Sequence, residues 1–266
     1  MTIKQVRAHH LAQMKANGEP ITMLTAYDAV TARIFDQAGT DMLLVGDSAA
    51  NAVLGHDSTV RIGMTEMTLL TAAVARGAQR AFVVADMPFG SYESSNADAV
   101  RNAVALIRAG ASAVKLEGGV RMASRIEAIT DAGINVVGHI GYTPQSENAL
   151  GGPRVQGRGA AADAVMADAL AVQGAGAMGV VLEMVPAPVA TKVTTQLNIF
   201  TIGIGAGEQC DGQVLVWTDM AGMDNWQPSF AKVFGEVGKA LGDAASAYND
   251  AVRARAFPDD NHRFNK

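Results

Sequence analysis

Residues 81–117, AFVVADMPFGSYESSNADAVRNAVALIRAGASAVKLE, contain the pattern that decides the fold. A short apolar run ends near Asp86, a helical pattern follows at 96–111, and a second apolar run begins at 113. Strands that are buried on both faces read as continuous apolar runs of this kind. A strand, a helix and a second strand in succession predict two parallel strands joined by a crossover helix.

The same unit recurs along the whole chain. The apolar runs, each stopped by Gly, Asp, Glu or Pro, lie at 21–28, 41–47, 81–89, 113–119, 134–141, 178–185, 199–207 and 213–220. A doubly wound open sheet usually has fewer strands in a chain of 266 residues, whereas a (β/α)8 barrel takes about 250 residues. We therefore predict the α/β class and one domain, residues 1–266, folded as a (β/α)8 TIM barrel.

Four segments do not fit the repeat. Residues 3–16 are predicted to form an N-terminal capping helix at the bottom of the barrel, and residues 229–257 a C-terminal helical tail. Only residues 208–212 separate the last two strands, although a parallel crossover normally takes about a dozen residues. Either that helix is one turn long or a strand boundary differs. The polar, glycine-rich residues 142–159 are predicted to form a lid or substrate loop.

Composition and charge point to a small-molecule partner. The net charge is −5 and no Lys/Arg run is present, so the sequence predicts neither a nucleic-acid nor a membrane partner. Cys210 is the single cysteine, which excludes an intrachain disulfide and favours a reducing compartment. The first residues have no signal-peptide-like apolar region. We therefore expect a cytoplasmic location.

Charged residues end several of the predicted strands. Active sites of such barrels lie at the carboxyl ends of the strands, where this sequence places Asp47, Asp86, Glu117 and Glu183, with Lys115 and His139 in similar positions. Four carboxylates at one barrel mouth repel one another unless a cation or shared protons offset the charge. Mg2+ suits such oxygen ligands. We expect Asp47 and Asp86 to bind it, and Glu117 to bind it or to hold a bound water.

Other residues at the mouth have a structural interpretation beside the functional one. Asp28 is interpreted as a helix N-cap. His139 is either a hydrogen-bonded structural histidine or a functional one. The glycines of GIGAG, 203–207, either permit a tight turn or bind a phosphate group.

An ordered series of motifs resembles the ketopantoate hydroxymethyltransferase family. The motifs are MLLVGDS (42–48), GHDST (55–59), ADMPF (85–89), VKLEGG (114–119), GHIGYTPQS (138–146), VQGR (155–158), LEMVP (182–186), GIGAG (203–207) and CDGQVLV (210–216). Together they span residues 42–216, and the barrel pattern extends the resemblance over nearly the whole chain. A series of nine motifs in one order is far more specific than any single motif.

The resemblance implies an enzyme of pantothenate biosynthesis. Such an enzyme adds a hydroxymethyl group from 5,10-methylenetetrahydrofolate to 3-methyl-2-oxobutanoate, using Mg2+, and gives 2-dehydropantoate. The resemblance also implies a role for each matching residue: metal ligands at Asp47 and Asp86, a metal-associated carboxylate at Glu117, the proton acceptor at Glu183, and binding of the oxo acid by Ser48 and Lys115 and, through the metal, by the two aspartates. His139 is expected to position the substrate carboxylate or offset charge. The family further implies a homo-oligomer, a decamer.

One departure and two rival functions accompany the resemblance. Where the family usually has an aromatic residue and a lysine, this chain has Pro153 and Arg154, which keeps the positive charge but stiffens the loop.

The nearer rival is an Mg2+-dependent carbon–carbon lyase of 2-oxo acids or a phosphonopyruvate-type mutase. The lyases would have a catalytic cysteine in the active-site loop, whereas Cys210 follows GIGAG. A non-catalytic barrel that binds a phosphorylated ligand at GIGAG is the second rival.

Overall fold

The described chain divides into two compact units. The computed structural model describes residues 5–224 and 226–264. One unit ends at Leu215 and the other begins at Val216. In the described parts of the chain, no helix has the length and apolar character needed to cross a membrane.

The first unit is a closed barrel of eight parallel strands, which confirms the predicted fold class. The strands follow one another around the barrel in chain order, and the last pairs with the first. They are β1 Ile21–Thr25, β2 Met42–Val45, β3 Phe82–Asp86, β4 Ala113–Glu117, β5 Val136–Gly141, β6 Gly179–Glu183, β7 Phe200–Ile204 and β8 Gly212–Leu215. Each lies within one residue of a predicted apolar run, and the runs extend past the strand ends because the following turns are also apolar.

Helices surround the barrel between these strands. They are α1 Ala8–Asn17, α2 Ala29–Gln37, α3 Ala49–Ala52, α4 Met64–Gly77, α5 Asn96–Arg108, α6 Ala123–Asp131, α7 Glu147–Leu150, α8 Ala162–Gly174 and α9 Ala187–Gln196. Helix α5 buries Ala99, Ala103 and Leu106 on one face. The Asp28 carboxylate caps α2 by accepting hydrogen bonds from the backbone N–H groups of Val30 and Thr31, which confirms its interpretation as an N-cap.

The predicted capping helix and the short joint both lie at the bottom of the barrel. Helix α1 covers most of the predicted stretch 3–16, and Lys15 in its last turn pairs with Asp211, which directly precedes β8. No helix forms in the connection between β7 and β8, which consists of residues 205–211. Positive φ angles at Gly205 and Gly207 let this short connection turn back without a helix.

The segment 142–159 is more regular than its composition predicts. It contains a short 3-10 helix, Pro144–Ser146, followed by α7. Proline at the first position of a helical turn has no N–H to leave unpaired, and its fixed φ suits the turn. The segment is therefore a folded loop at the mouth of the barrel, directly after β5.

The second unit contains α10 Trp217–Met220 and α11 Val237–Arg253. The predicted tail helix is therefore shorter than 229–257. The helix contains Gly238 and Gly242, so glycine alone does not set its start. The backbone N–H groups of Phe234 and Val237 donate to the carbonyls of Met220 and Ala221, and these bonds hold the chain before the helix in a non-helical path.

Candidate active site

The predicted site residues meet at one end of the barrel. Asp86, Glu117 and Glu183 are the last residues of β3, β4 and β6, and Asp47 lies two residues past β2. Lys115 and His139 lie within β4 and β5. All of these side chains are buried except that of Glu183, which is partly exposed. The sequence prediction that they converge is confirmed by this geometry, whereas their chemical roles stay predictions.

Asp47 and Asp86 form a close carboxylate pair. The backbone N–H of Asp47 donates to Asp86 Oδ2 over 3.0 Å, and Lys115 Nζ lies 3.0 Å from Asp86 Oδ1. A Cβ at Gly46 would lie only 2.7 Å from Ser48 Oγ, so glycine at this position leaves room for the Ser48 hydroxyl. Since the backbone of Asp47 contacts the Asp86 carboxylate directly, the two acids share one small, dry volume.

His139 lies between two carboxylates. Its Nδ1 is 3.2 Å from Glu117 Oε1 and 3.2 Å from Lys115 Nζ, while its Nε2 is 3.1 Å from Glu183 Oε2. Because each ring nitrogen has a carboxylate beside it, the imidazole ring is fixed in orientation. The partly exposed Glu183 carboxylate is thus held at the edge of the buried cluster, where a substrate can reach it.

The electrostatics of the site reflect an excess of negative charge in a dry environment. Burial, and then the negative charges of Asp86 and Glu117, raise the pKa of Asp47 to about 8. Burial also raises the pKa of Asp86, against the opposing charge of Lys115. Burial and the Lys115 charge lower the pKa of His139, but its contacts with Glu117 and Glu183 outweigh them and raise it to about 9. A further positive charge at this site would therefore stabilise the ionised acids.

Ser48 has a partner that the sequence does not single out. Its hydroxyl lies 2.8 Å from the Tyr27 hydroxyl, at the start of α3. Tyr27 is buried behind it, at the end of the first strand. The contact fixes the Ser48 hydroxyl beside Asp47, at the rim of the carboxylate pair.

Gln145 and Tyr92 are two buried residues of the site that the sequence reasoning missed. Gln145 Nε2 donates to Asp47 Oδ2 over 2.8 Å, and its backbone N–H donates to Glu117 Oε2 over 3.0 Å. The Tyr92 hydroxyl donates to Gln145 Oε1 and accepts a bond from the backbone N–H of Glu117. The GHIGYTPQS motif contains Gln145, but nothing in the pattern separates it from its polar neighbours in the loop.

Within the described residues, no group of three or more His, Cys, Asp or Glu side chains is arranged to hold a metal ion. Both oxygens of Glu117 already have partners, since one lies beside His139 and the other accepts from the Gln145 backbone. Asp47, Asp86 and Glu117 nevertheless supply only oxygen atoms from one small region, which is the donor type that Mg2+ prefers. The metal assignment of these three residues stays a prediction.

A polar cavity of about 540 Å3 opens beside this cluster. It is lined by the loop after β2 and the segment after β5, with residues Asp57, Ser58, Val60, Arg61, Pro144, Gln145, Glu147 and Asn148. Gln145 therefore has one side toward the buried acids and another toward an open space. The cavity is large enough for part of a second substrate.

The glycines of GIGAG are explained by the turn itself. Gly205 and Gly207 have positive φ angles, and a Cβ at Gly207 would lie 2.5 Å from the Cβ of Ala187. Both features require glycine without reference to any ligand. This geometry favours the tight-turn interpretation of the segment over phosphate binding.

Comparisons with known proteins point in one direction. The family model for ketopantoate hydroxymethyltransferase matches residues 5–260. A 3-methyl-2-oxobutanoate hydroxymethyltransferase of Corynebacterium efficiens is 58% identical over 257 residues, covering 96% of both chains. One of Corynebacterium jeikeium is 59% identical over 264 residues, covering 98% of this chain and 93% of its own.

Solved structures share the architecture at much lower identity. A phosphonopyruvate hydrolase in complex with oxalate and Mg2+ superimposes with a TM-score of 0.61 at 13% identity, covering 96% of this chain and 92% of its own. At that identity the match supports the barrel fold alone.

Proposed function

The chain belongs to the ketopantoate hydroxymethyltransferase family, and from this premise we propose that it makes 2-dehydropantoate from 3-methyl-2-oxobutanoate. The proposed one-carbon donor is 5,10-methylenetetrahydrofolate, and one water is consumed as tetrahydrofolate leaves. The single observation that carries the proposed chemistry is the Glu183 carboxylate. It is partly exposed beside His139, at the edge of a buried cluster of acids.

The reaction needs a carbanion equivalent at C3 of the oxo acid. An unassisted C–H group beside a ketone is too weak an acid for a carboxylate base at neutral pH. When bound, Mg2+ would polarise the keto group and favour the enolate. Asp47 and Asp86 are proposed to hold the ion, with Glu117 as a ligand or as the partner of a bound water. The raised pKa of Asp47, caused by burial and neighbouring acids, supports a site that lacks positive charge.

Glu183 is proposed to accept the C3 proton. Its Oε2 lies 3.1 Å from His139 Nε2, so the imidazole fixes the carboxylate and offsets its charge. Because Glu183 is less buried than the other acids, a substrate can approach it from the mouth of the barrel. One bond from the folate methylene carbon to nitrogen would break, water would add to that carbon, and loss of the second nitrogen would release tetrahydrofolate and a one-carbon unit at the oxidation level of formaldehyde. The C3 carbon would attack this carbon, and its oxygen, after taking up a proton, becomes the hydroxyl of the product.

Lys115 and Ser48 are proposed to bind the oxo acid. The Lys115 ammonium group lies between Asp86 and His139, where it can offset the negative charge of a carboxylate or an enolate. The Ser48 hydroxyl, held by Tyr27, can donate to a substrate oxygen at the same rim. His139 would contribute by positioning, through its contacts with Glu117 and Glu183.

The open cavity beside Gln145 is proposed to admit the folate, and segment 142–159 to exclude water during the transfer. Pro153 and Arg154 lie in this segment, so the stiffer loop would affect closure and leave the chemistry unchanged. Assembly into a homo-oligomer, as the resemblance implies, stays a prediction.

The rival lyase and mutase reactions act on related 2-oxo acids. A catalytic cysteine in the active-site loop is expected of the lyases, whereas Cys210, the single cysteine, lies in the connection between β7 and β8, with its Sγ beside Gly203. The loop 142–159 contains no cysteine. The rival therefore lacks its expected catalytic cysteine.

One assay tests the proposed function. The chain is incubated with 3-methyl-2-oxobutanoate and 5,10-methylenetetrahydrofolate, with and without Mg2+, and 2-dehydropantoate is measured. We expect product only when the metal and both substrates are present. Product formed at the same rate in the presence of a chelator would contradict the metal assignment, and no product under any condition would contradict the proposed reaction.

A further inference from the structure

Gln145 forms hydrogen bonds with several groups of the site through both its side chain and its backbone. Its Nε2 donates to Asp47 Oδ2 over 2.8 Å and to the Met87 carbonyl over 3.0 Å, and its Oε1 accepts from the Tyr92 hydroxyl over 2.5 Å. Its backbone N–H donates to Glu117 Oε2. One loop residue thus contacts groups that follow or end β2, β3 and β4.

Tyr92 pairs with the remaining polar atom of the Gln145 side chain, which is Oε1. The Tyr92 hydroxyl donates to Gln145 and accepts from the Glu117 backbone N–H, and only 2% of Tyr92 is exposed. Gln145 itself is 7% exposed. Burying an amide costs free energy unless its donors and acceptor are paired, and here both kinds of atom are paired with the site. Removing the Gln145 amide would therefore leave buried partners without a hydrogen bond.

The same segment has a second attachment to the site. The backbone N–H of Gln156 donates to the carbonyl of Met184 over 2.9 Å, and Met184 directly follows Glu183. Gln145 attaches the start of the segment to Asp47 and Glu117, and Gln156 attaches its end beside Glu183. Arg154 is exposed between the two attachments, whereas Arg158 is exposed beyond the second.

We propose that Gln145 is a positioning residue that fixes the Asp47 carboxylate and ties segment 142–159 to the acids of the site. Its amide restricts rotation of the Asp47 carboxylate through Oδ2, as hydrogen-bonding neighbours of ligating groups do. The same bonds hold the first turn of the segment against the mouth. The orientation of the Asp47 carboxylate and the position of segment 142–159 are thereby coupled through the Gln145 side chain.

Limited proteolysis tests the attachment without reference to the reaction. Gln145→Met keeps the length of the side chain and removes its polar atoms. We expect trypsin to cut after Arg154 at least about fivefold faster than in the unaltered chain, because one ordinary hydrogen bond corresponds to that factor in a local opening equilibrium. Cutting after Arg158 should change little, since the Gln156 attachment remains. Equal rates after Arg154 in both proteins would overturn the proposal.

A second variant and a control guard against a general loss of structure. Tyr92→Phe removes only the hydroxyl that bonds to Gln145 Oε1, and we expect the same change after Arg154 with a smaller size. Gln213→Met is the control, because its Nε2 also donates to a backbone carbonyl, that of Gly207, which is not part of the segment. The specific attachment is refuted if Gln213→Met accelerates the cut after Arg154 as much as Gln145→Met does. It is also refuted if Gln145→Met accelerates the cut after Arg158 as much as the cut after Arg154.

A titration with magnesium chloride alone tests the effect on Asp47, and this part rests on the proposed function. By calorimetry, Gln145→Met should bind Mg2+ about tenfold more weakly, as loss of such neighbouring bonds typically causes. A purely structural role in the loop would leave this affinity unchanged, and an unchanged affinity would refute positioning of Asp47. Failure of the unaltered chain to bind Mg2+ would instead count against the proposed function, and proteolysis would still decide the attachment.

Discussion

At the bottom of the barrel each buried carboxylate is matched by its own donors, whereas at the mouth four carboxylates share two cationic side chains. Asp36 accepts from the backbone N–H groups of Gln79, Arg80 and Ala81. Asp211 pairs with Lys15 Nζ over 2.8 Å and accepts from the Thr201 backbone N–H. At the mouth, only Lys115 and His139 face Asp47, Asp86, Glu117 and Glu183.

The difference separates the acids that maintain the fold from those available for chemistry. Donors that fully satisfy a carboxylate stabilise the folded chain. The acids of the mouth also have donors, such as Gln145 for Asp47, but too few positive charges offset them, so they are ready for an external cation or substrate. The raised pKa of Asp47, caused first by burial and then by Asp86, is the sign of this second condition.

The largest effect is expected from Asp86→Asn at the mouth. Loss of one proposed metal ligand should lower kcat/KM for 2-dehydropantoate formation by at least about a thousandfold, since metal polarisation contributes several kcal/mol. The substitution removes a repelling charge, but its NH2 group also faces either the Asp47 N–H or the Lys115 ammonium group, so we expect a smaller fall in the free energy of unfolding than Asp36→Asn causes. Steady-state kinetics and urea denaturation measure the two quantities. If Asp86→Asn kept its activity and lost stability, the acids of the mouth would maintain the fold, which is the opposite of what we expect.

Asp36→Asn is the matched substitution at the bottom, and it should have the opposite result. Replacing one carboxylate oxygen by NH2 leaves at least one buried backbone N–H without an acceptor. We expect the free energy of unfolding to fall by about 3 kcal/mol, with kcat/KM of the folded enzyme unchanged. Urea denaturation and kinetics on the same sample check this. A large loss of kcat/KM without a loss of stability would show that the two ends are not distinct.

The pH dependence of the free energy of unfolding should reflect the titratable groups at the mouth of the barrel. Folded Asp47 holds its proton up to about pH 8, whereas an unfolded aspartate holds it only to about pH 4. Between these values the folded chain binds more protons, so the free energy of unfolding falls as pH rises. His139, with a pKa of about 9 against about 6.5 unfolded, extends the fall toward pH 9.

The slope is about 1.4 kcal/mol per pH unit for each group within its window. Urea denaturation of chelator-treated protein between pH 5 and 9 measures it, and saturating Mg2+ should flatten the curve. Asp47→Asn should remove the slope below about pH 6.5 and leave only the His139 contribution between about pH 6.5 and 9. If the free energy of unfolding of the metal-free chain did not change with pH, the negative charges at the mouth would be offset as fully as those at the bottom.

The smallest effect is expected from Lys15→Met. Lys15 pairs with Asp211, and the two side chains are 14% and 15% exposed. Asp211 keeps its bonds from Thr201, so we expect a loss of about 1 kcal/mol in the free energy of unfolding and no change in kcat/KM. Thermal or urea denaturation checks the value. A change in kcat/KM would contradict the assignment of this pair to stability alone.

Sequence patterns predict the strands and the acids of the mouth because both follow from chain order. An apolar run that ends in Asp86 or Glu117 places that acid at the carboxyl end of a strand, and closure of the barrel then brings such ends together. The contacts of Gln145 with Asp47 and Tyr92 join residues far apart in the chain through loops. No periodicity encodes such contacts, since they depend on how each loop folds over the mouth.

The boundaries were harder to predict for a related reason. The tail pattern at 229–257 is apolar enough for a helix throughout, but the helix begins only at Val237, because Phe234 and Val237 donate their backbone N–H groups to the carbonyls of Met220 and Ala221. The composition of 142–159 indicates an irregular loop, whereas Pro144 starts a helical turn that places Gln145 in the site. In both segments particular local contacts or residues decide the structure, and average composition cannot show them.

The central claim is that the mouth of the barrel removes the C3 proton of the oxo acid through Glu183. Its most direct test is exchange of that hydrogen in D2O, followed by NMR with 3-methyl-2-oxobutanoate and Mg2+ and without folate. The unaltered chain should exchange the hydrogen, and Glu183→Gln should abolish exchange while binding Mg2+ nearly as well. Exchange retained in Glu183→Gln would contradict the account, because another group would then be the base.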